Sequence, residues 1–164
     1  DIDGIWLWSD MAYKKGLFFS TSFYENSLFP LHKEICSFSA SKGLPVIMHS
    51  DGNLNSIIPL LIEAGFSGLH PVESSAGMDL EELKKKYKNK IVLMGNFQLD
   101  LLRHDNIEDL VSTFKRRLDI AVEGSGYIFG FESPISSDID IGKYKLLLDI
   151  VRRYGRTEDK SYIR

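Results

Sequence analysis

Cysteine is almost absent from this chain: Cys36 stands alone among 164 residues. A single thiol excludes a disulfide framework and suits a reducing cytoplasm, where this protein is expected to work. Cys36 lies inside a helical pattern, so a buried, inert thiol is its expected state. Long apolar runs are missing too. None approaches the ~20 residues that cross a bilayer, and no signal peptide is visible, so no membrane partner is expected. Excess positive charge is lacking, the formal net charge being −3. Nucleic acids need a clustered basic face, so none is expected as a partner. The one basic run, Lys84-Lys85-Lys86 with Lys88 and Lys90, shares its segment with Glu81 and Glu82 and reads as a solvated helix face. There is no Gly-x-Gly-x-x-Gly turn either, which argues against a dinucleotide-binding fold.

What remains is ordinary globular composition, 43% hydrophobic and 26% charged, in a chain long enough to bury a sizeable core. It starts Asp1-Ile2-Asp3 without an initiator methionine and enters strand-like sequence almost at once, which reads as a piece of something longer. Strand then helix alternate through five units. The strand candidates are Gly4–Trp8, Leu44–Met48, Phe66–His70, Ile91–Gly95 and Tyr127–Phe131, all short and largely apolar, as in strands covered on both faces. Between them, Leu28, Leu31, Ile35 and Phe38 recur at helical spacing, with a stop at Gly43. Ile57, Ile58, Leu61 and Ile62 predict a second helix ending at Gly65, where Pro59 is tolerable in the first turn. Asp79-x-x-Glu82 and Asp105-x-x-Glu108 resemble capping boxes opening two amphipathic runs: Leu80, Leu83 and Tyr87, then Ile107, Leu110, Val111, Phe114 and Leu118. A last helix carries Tyr144, Leu147, Leu148, Val151 and Tyr154, closed by Gly155.

Such alternation implies right-handed βαβ units and a parallel sheet. A whole (β/α)8 barrel takes about 200 residues or more, so residues 1–164 read as a single domain supplying about five βα units of one. Alone, that unit would leave two open sheet edges. Two connections are long: Asp10–Ser27, rich in aromatics including Phe18 and Phe19, and Glu132–Gly142. Loops of this length at an active face serve as lids or substrate walls, the alternative being a loop simply packed on the surface.

In parallel α/β folds chemistry gathers at the carboxyl ends of strands. Asp10, His49, Asp51, His70, Glu73, Asn96 and Glu132 all fall there, His49-Ser50-Asp51-Gly52-Asn53 being the clearest group. A divalent metal needs nitrogen and oxygen donors from different strands. His49 with Glu73 is the favoured pair, Glu132 or Asp51 being a third ligand; Asp51 otherwise contacts substrate. Asn96, after Gly95, offers an amide to a substrate. His70, just before Pro71, reads as a satisfied core histidine, whereas His32 and His104 read as surface residues.

The order of these pieces resembles the uroporphyrinogen decarboxylase superfamily. Leu-Pro-Val-Ile-Met-His-Ser-Asp-Gly-Asn (44–53), Leu-His-Pro-Val-Glu-Ser-Ser-Ala-Gly-Met-Asp-Leu (69–80) and Leu-Met-Gly-Asn (93–96) carry the likeness. Gly-Ser-Gly-Tyr-Ile-Phe-Gly (124–130) and Tyr-Gly-Arg (154–156) fit as well. The resemblance implies the carboxyl-terminal portion of a (β/α)8 barrel whose amino-terminal half is missing. The superfamily holds cofactor-free porphyrinogen decarboxylases and zinc-dependent methyltransferases that work with a corrinoid protein. Decarboxylases end their last strand in Gly-His, whereas this chain reads Phe131-Glu132-Ser133-Pro134. Methyltransferases carry His-x-Cys after the strand ending at His49; here Asp51 replaces the cysteine, so oxygen donors such as Asp51, Glu73 or Glu132 would complete the zinc site. The leading expectation is a zinc-dependent methyltransferase passing a methyl group between a small substrate and a corrinoid protein, with His49 as ligand, Glu73 as ligand or acid and Asn96 orienting substrate. In a decarboxylase of porphyrin biosynthesis, carboxylates such as Asp10 would handle protons without a metal. A non-catalytic corrinoid- or ligand-binding barrel is the third reading.

Overall fold

A computed structural model describes residues 2–154. Five parallel strands form one sheet: β1 (Ile5–Trp8), β4 (Val46–His49), β5 (Gly68–His70), β6 (Val92–Phe97) and β7 (Tyr127–Phe131), lying side by side in chain order. The strand candidates of the sequence are all present. β6 runs two residues further than expected, through Asn96 and Phe97. Sheet order equal to chain order is decisive for architecture. With right-handed crossovers it places every helix on one face, whereas a doubly wound sheet reverses direction. The result is part of a (β/α)8 barrel, and the face that a closed barrel would turn inward carries Trp6, Trp8 and Ile128, which are 46%, 73% and 44% exposed.

The helices are α1 (Thr21–Phe23), α2 (Phe29–Ser41), α3 (Ile58–Ala64), α4 (Leu80–Tyr87), α5 (Ile107–Val122) and α6 (Ile141–Tyr154), a π-helical turn joining α1 to α2. α3 stops at Gly65, whose φ of 103° is the left-handed conformation glycine adopts freely. Asp79 caps α4 through Glu82 N–H as anticipated. The cap of α5 is Asn106, not Asp105: its Oδ1 accepts from Glu108 and Asp109 N–H, so the helix starts one residue later than the box suggested. The expected stop of α6 at Gly155, and the rest of the Tyr-Gly-Arg motif after Tyr154, lie outside the described residues.

Alternate strand residues Val46, Met48, Leu69 and Leu93 pack beneath the helices with Ile58, Leu61 and Leu83. A second apolar cluster, Phe97, Leu110, Phe114, Leu118 and Leu147, fills the space under α5 and α6. α2 departs from expectation. Its stripe of Leu31, Ile35 and Phe38 is exposed, while His32, Cys36 and Ser39 are buried. The reason is polar satisfaction: His32 Nδ1 meets Tyr24 Oη at 2.9 Å and its ring sits edge-on to Phe66, so this histidine is a core residue rather than a surface one. Ser39 donates to Ile35 O. Burial lowers the pKa of His32 and raises that of the Cys36 thiol. His104 is exposed as expected. Lys84 leaves the solvated face assigned to it: its Nζ donates to Ala121 O and Ser125 O, tying α4 to the end of α5. Among the described residues no helix is long and apolar enough to cross a membrane.

Candidate metal centre

The long Asp10–Ser27 connection is not an open loop. It contains a two-stranded hairpin, β2 (Ala12–Tyr13) and β3 (Gly16–Leu17), which folds over the turn after β4. Asn53 N–H donates to Tyr13 O, and Met11 N–H donates to Ser50 Oγ. Ser50 is fully buried and its own backbone N–H donates to His70 O, so this one residue ties the segments that follow β1, β4 and β5 together. Gly52 closes the arrangement. Its φ is 88°, and a Cβ there would lie 2.6 Å from the carbonyl carbon of Ala12, so only glycine fits beneath the hairpin.

This frame brings Asp10, His49 and Asp51 together. His49 Nε2 lies 3.8 Å from Asp10 Oδ1 and 4.0 Å from Asp51 Oδ1, and one donor atom from each residue falls within 4.8 Å of the others. Asp51 N–H donates to Asp10 Oδ1, which holds the two acids side by side despite their like charge. Burial, then the charges of Asp10 and Glu73, push the Asp51 pKa up, while His49 opposes the shift. A bound cation would offset the repulsion between the two neighbouring carboxylates. One nitrogen and two oxygen donors suit a divalent ion, zinc included. Among the described residues no other set of three or more such side chains gathers in this way.

Of the ligands expected from sequence, the fold gathers His49 with Asp51, whereas Glu73 and Glu132 do not join the group. Glu73 is engaged elsewhere: Oε2 accepts from Gly52 N–H at 2.8 Å and Oε1 from Ser75 Oγ. Glu132 Oε1 accepts from Ser74 N–H at 2.6 Å. Both acids therefore brace loops around the centre by accepting backbone amides. Asp10, expected to carry protons, instead stands among the ligand-type groups. Asn96, expected to face substrate, is buried with φ of 67°, and its amide nitrogen donates to Val72 O and Met78 O, pinning the loop that bears Glu73. Phe18 is exposed and stacks on Tyr13 in the hairpin, and Phe19 packs on Phe23.

Three further residues stand at this centre. His70, expected as a satisfied core residue, is half-buried and its Nδ1 sits 2.7 Å from His49 Nδ1, the ring centres lying 4.9 Å apart. Burial, and then His49, push its pKa down to about 4. Trp6 lies 4.8 Å from the His70 ring and Trp8 stands edge-on to His49 at 5.0 Å. The available signal was register: Trp8, His49 and His70 end three adjacent runs and are direct cross-strand partners.

A singly wound parallel sheet with ligand-type side chains at its carboxyl edge is part of a (β/α)8 barrel. The chain belongs to the uroporphyrinogen decarboxylase (URO-D) family, which it matches over residues 8–154. Among solved structures it is similar to a methyltransferase from Methanosarcina mazei, at 18% identity and a TM-score of 0.68, over 93% of this chain and 42% of that one. The likeness is one of fold, and the chain spans less than half the length of that protein. No curated protein sequence matches significantly.

Proposed function

We propose that the protein is a metal-dependent, methyltransferase-like member of the URO-D family, working in the cytoplasm and passing a methyl group between a small substrate and a corrinoid protein. The observation that carries this reading is the cluster of Asp10, His49 and Asp51 at the strand ends. The solved relative named as a methyltransferase supports it, in a family that also contains decarboxylases.

Asp10 Oδ1, His49 Nε2 and a carboxylate oxygen of Asp51 would hold the cation, zinc in the first instance. Once bound, such an ion supplies Lewis acidity, polarising the heteroatom that bears or receives the methyl group. The chain's own residues do the rest. Ser50 and Gly52 fix the turn that carries Asp51, and Glu73 anchors that turn by accepting the Gly52 N–H. Glu132, through Ser74, holds the neighbouring loop in place. Trp6 and Trp8 provide apolar surfaces beside His70 and His49, and Phe18 with Tyr13 forms an outer wall on the hairpin. No cysteine takes part, so the donors are harder than a thiolate set and leave a bound ion more electrophilic.

The test is demethylation of methylcob(III)alamin by a small thiol, followed by loss of the methyl–cobalt absorbance in the full-length protein. Zinc-loaded wild type is expected to accelerate it, with His49→Ala reduced more than ~100-fold, beyond the usual cost of losing an outer-shell partner. Release of carbon dioxide from uroporphyrinogen by metal-stripped protein, with no demethylation, would replace this reading with decarboxylation.

A further inference from the structure

The two histidines at the ends of β4 and β5 face each other through the same type of atom, Nδ1 to Nδ1 at 2.7 Å. Two imidazole nitrogens so close must share one proton. Two bare lone pairs would repel, and two N–H groups would collide. One ring therefore donates and the other accepts, and the choice fixes the far side of both rings. If His49 donates from Nδ1, its Nε2 is left with a lone pair directed at the side where Asp10 and Asp51 stand. If His70 donates instead, His49 carries its proton on Nε2 and cannot act as a ligand there.

From this geometry we infer that His70 is the positioning residue of the metal centre, accepting the Nδ1 proton of His49 so that Nε2 is presented to the cation. The inference rests on the metal reading given above and deepens it. In metal sites generally, a ligating histidine donates its second ring N–H to a carboxylate or a carbonyl. Here an imidazole takes that part. The sheet builds the contact: His49 and His70 are register partners, so neighbouring parallel strands hold the rings in one row. Trp6 packs against His70 and Trp8 against His49, and each limits rotation of the ring it touches. Orientation by a rigid pair of strands is more exact than orientation by a loop, which is what a ligand with a single usable nitrogen requires.

Two measurements on the full-length protein test the assignment. Long-range nitrogen–proton NMR of the zinc-loaded wild type is expected to show His49 protonated on Nδ1 alone and His70 protonated on Nε2. A His49 found protonated on Nε2 overturns the assignment. Zinc affinity, by competition with a chromogenic chelator, is expected to fall ~10- to 100-fold in His70→Phe, which keeps the ring but has no acceptor. His70→Asn, whose side-chain oxygen accepts the same proton, is expected to recover most of the loss. A role in packing alone predicts the reverse order, Phe tolerated and Asn harmful, and that result also overturns the assignment. Wild type that binds no zinc brings down the metal reading and this inference with it; wild type that binds, with His70→Phe equally tight, brings down this inference alone.

Discussion

The two faces of the sheet are built from alternate residues of the same strands and carry opposite chemistry. On the helix-covered face Val46, Met48, Leu69 and Leu93 are at most 2% exposed and bear no polar atoms that need partners. On the other face Trp6 and Trp8 stand exposed beside His49 and His70, and the strands end in Asp10 and Asp51. A two-residue period separates the groups that hold the fold from those that hold the centre. Substitutions on the two faces are therefore expected to act on different observables.

The largest effect is expected on the covered face. Leu69→Ala, at a fully buried position, costs about 2–5 kcal/mol in denaturant unfolding, with zinc affinity per folded molecule unchanged. A parallel loss of affinity would merge the two faces into one. Next comes Gly52→Ala, at the seam between them. The left-handed backbone costs ~1–2 kcal/mol and the close approach to Ala12 adds to it, so both stability and zinc affinity should fall. Asp51→Asn is expected to act on affinity alone, weakening zinc more than ~10-fold while the unfolding midpoint of metal-free protein holds or rises, since a crowded charge is removed. The smallest effect belongs to Ile128→Thr on the open face, within about 0.5 kcal/mol for an exposed site. A cost of several times that in the full-length protein would show that further barrel units cover this face.

The buried histidine of α2 sharpens the contrast through pH. Burial lowers the His32 pKa below its ordinary 6.5. As pH falls through that value the unfolded chain takes up a proton the folded one refuses, so stability is present above it and declines below it. Unfolding midpoints of wild type and His32→Gln, measured down through that window, should converge. Parallel curves would place the acid sensitivity elsewhere.

Much of the architecture was legible because strand and helix periods differ. Apolar runs such as Val46–Met48 and Leu69, and the helical spacing of Leu110, Phe114 and Leu118, marked elements and core alike. Asp79 announced α4, and Gly65 the end of α3. α2 misled because a periodic apolar stripe does not say which face turns inward; Tyr24 and Phe66, distant in sequence, offered His32 a better site. At the centre the strand ends were legible and the pairings were not. Glu73 and Glu132 have the chemistry of ligands, but they accept the amides of Gly52 and Ser74. Asp10 was legible as a strand-end acid, but its pairing with Asp51 was not, because the Asp51 N–H that joins them leaves no mark in the sequence. The His49–His70 contact was implicit in two strands ending in histidine and needed their register to become visible.

The central claim is that Asp10, His49 and Asp51 form a metal centre. It is tested most directly by zinc content, from plasma mass spectrometry of the intact protein as wild type and as His49→Ala, both verified as folded. Near-stoichiometric zinc in the wild type and its loss in the variant is the expected result. Zinc absent from the wild type after loading, or retained equally in His49→Ala, would contradict the account.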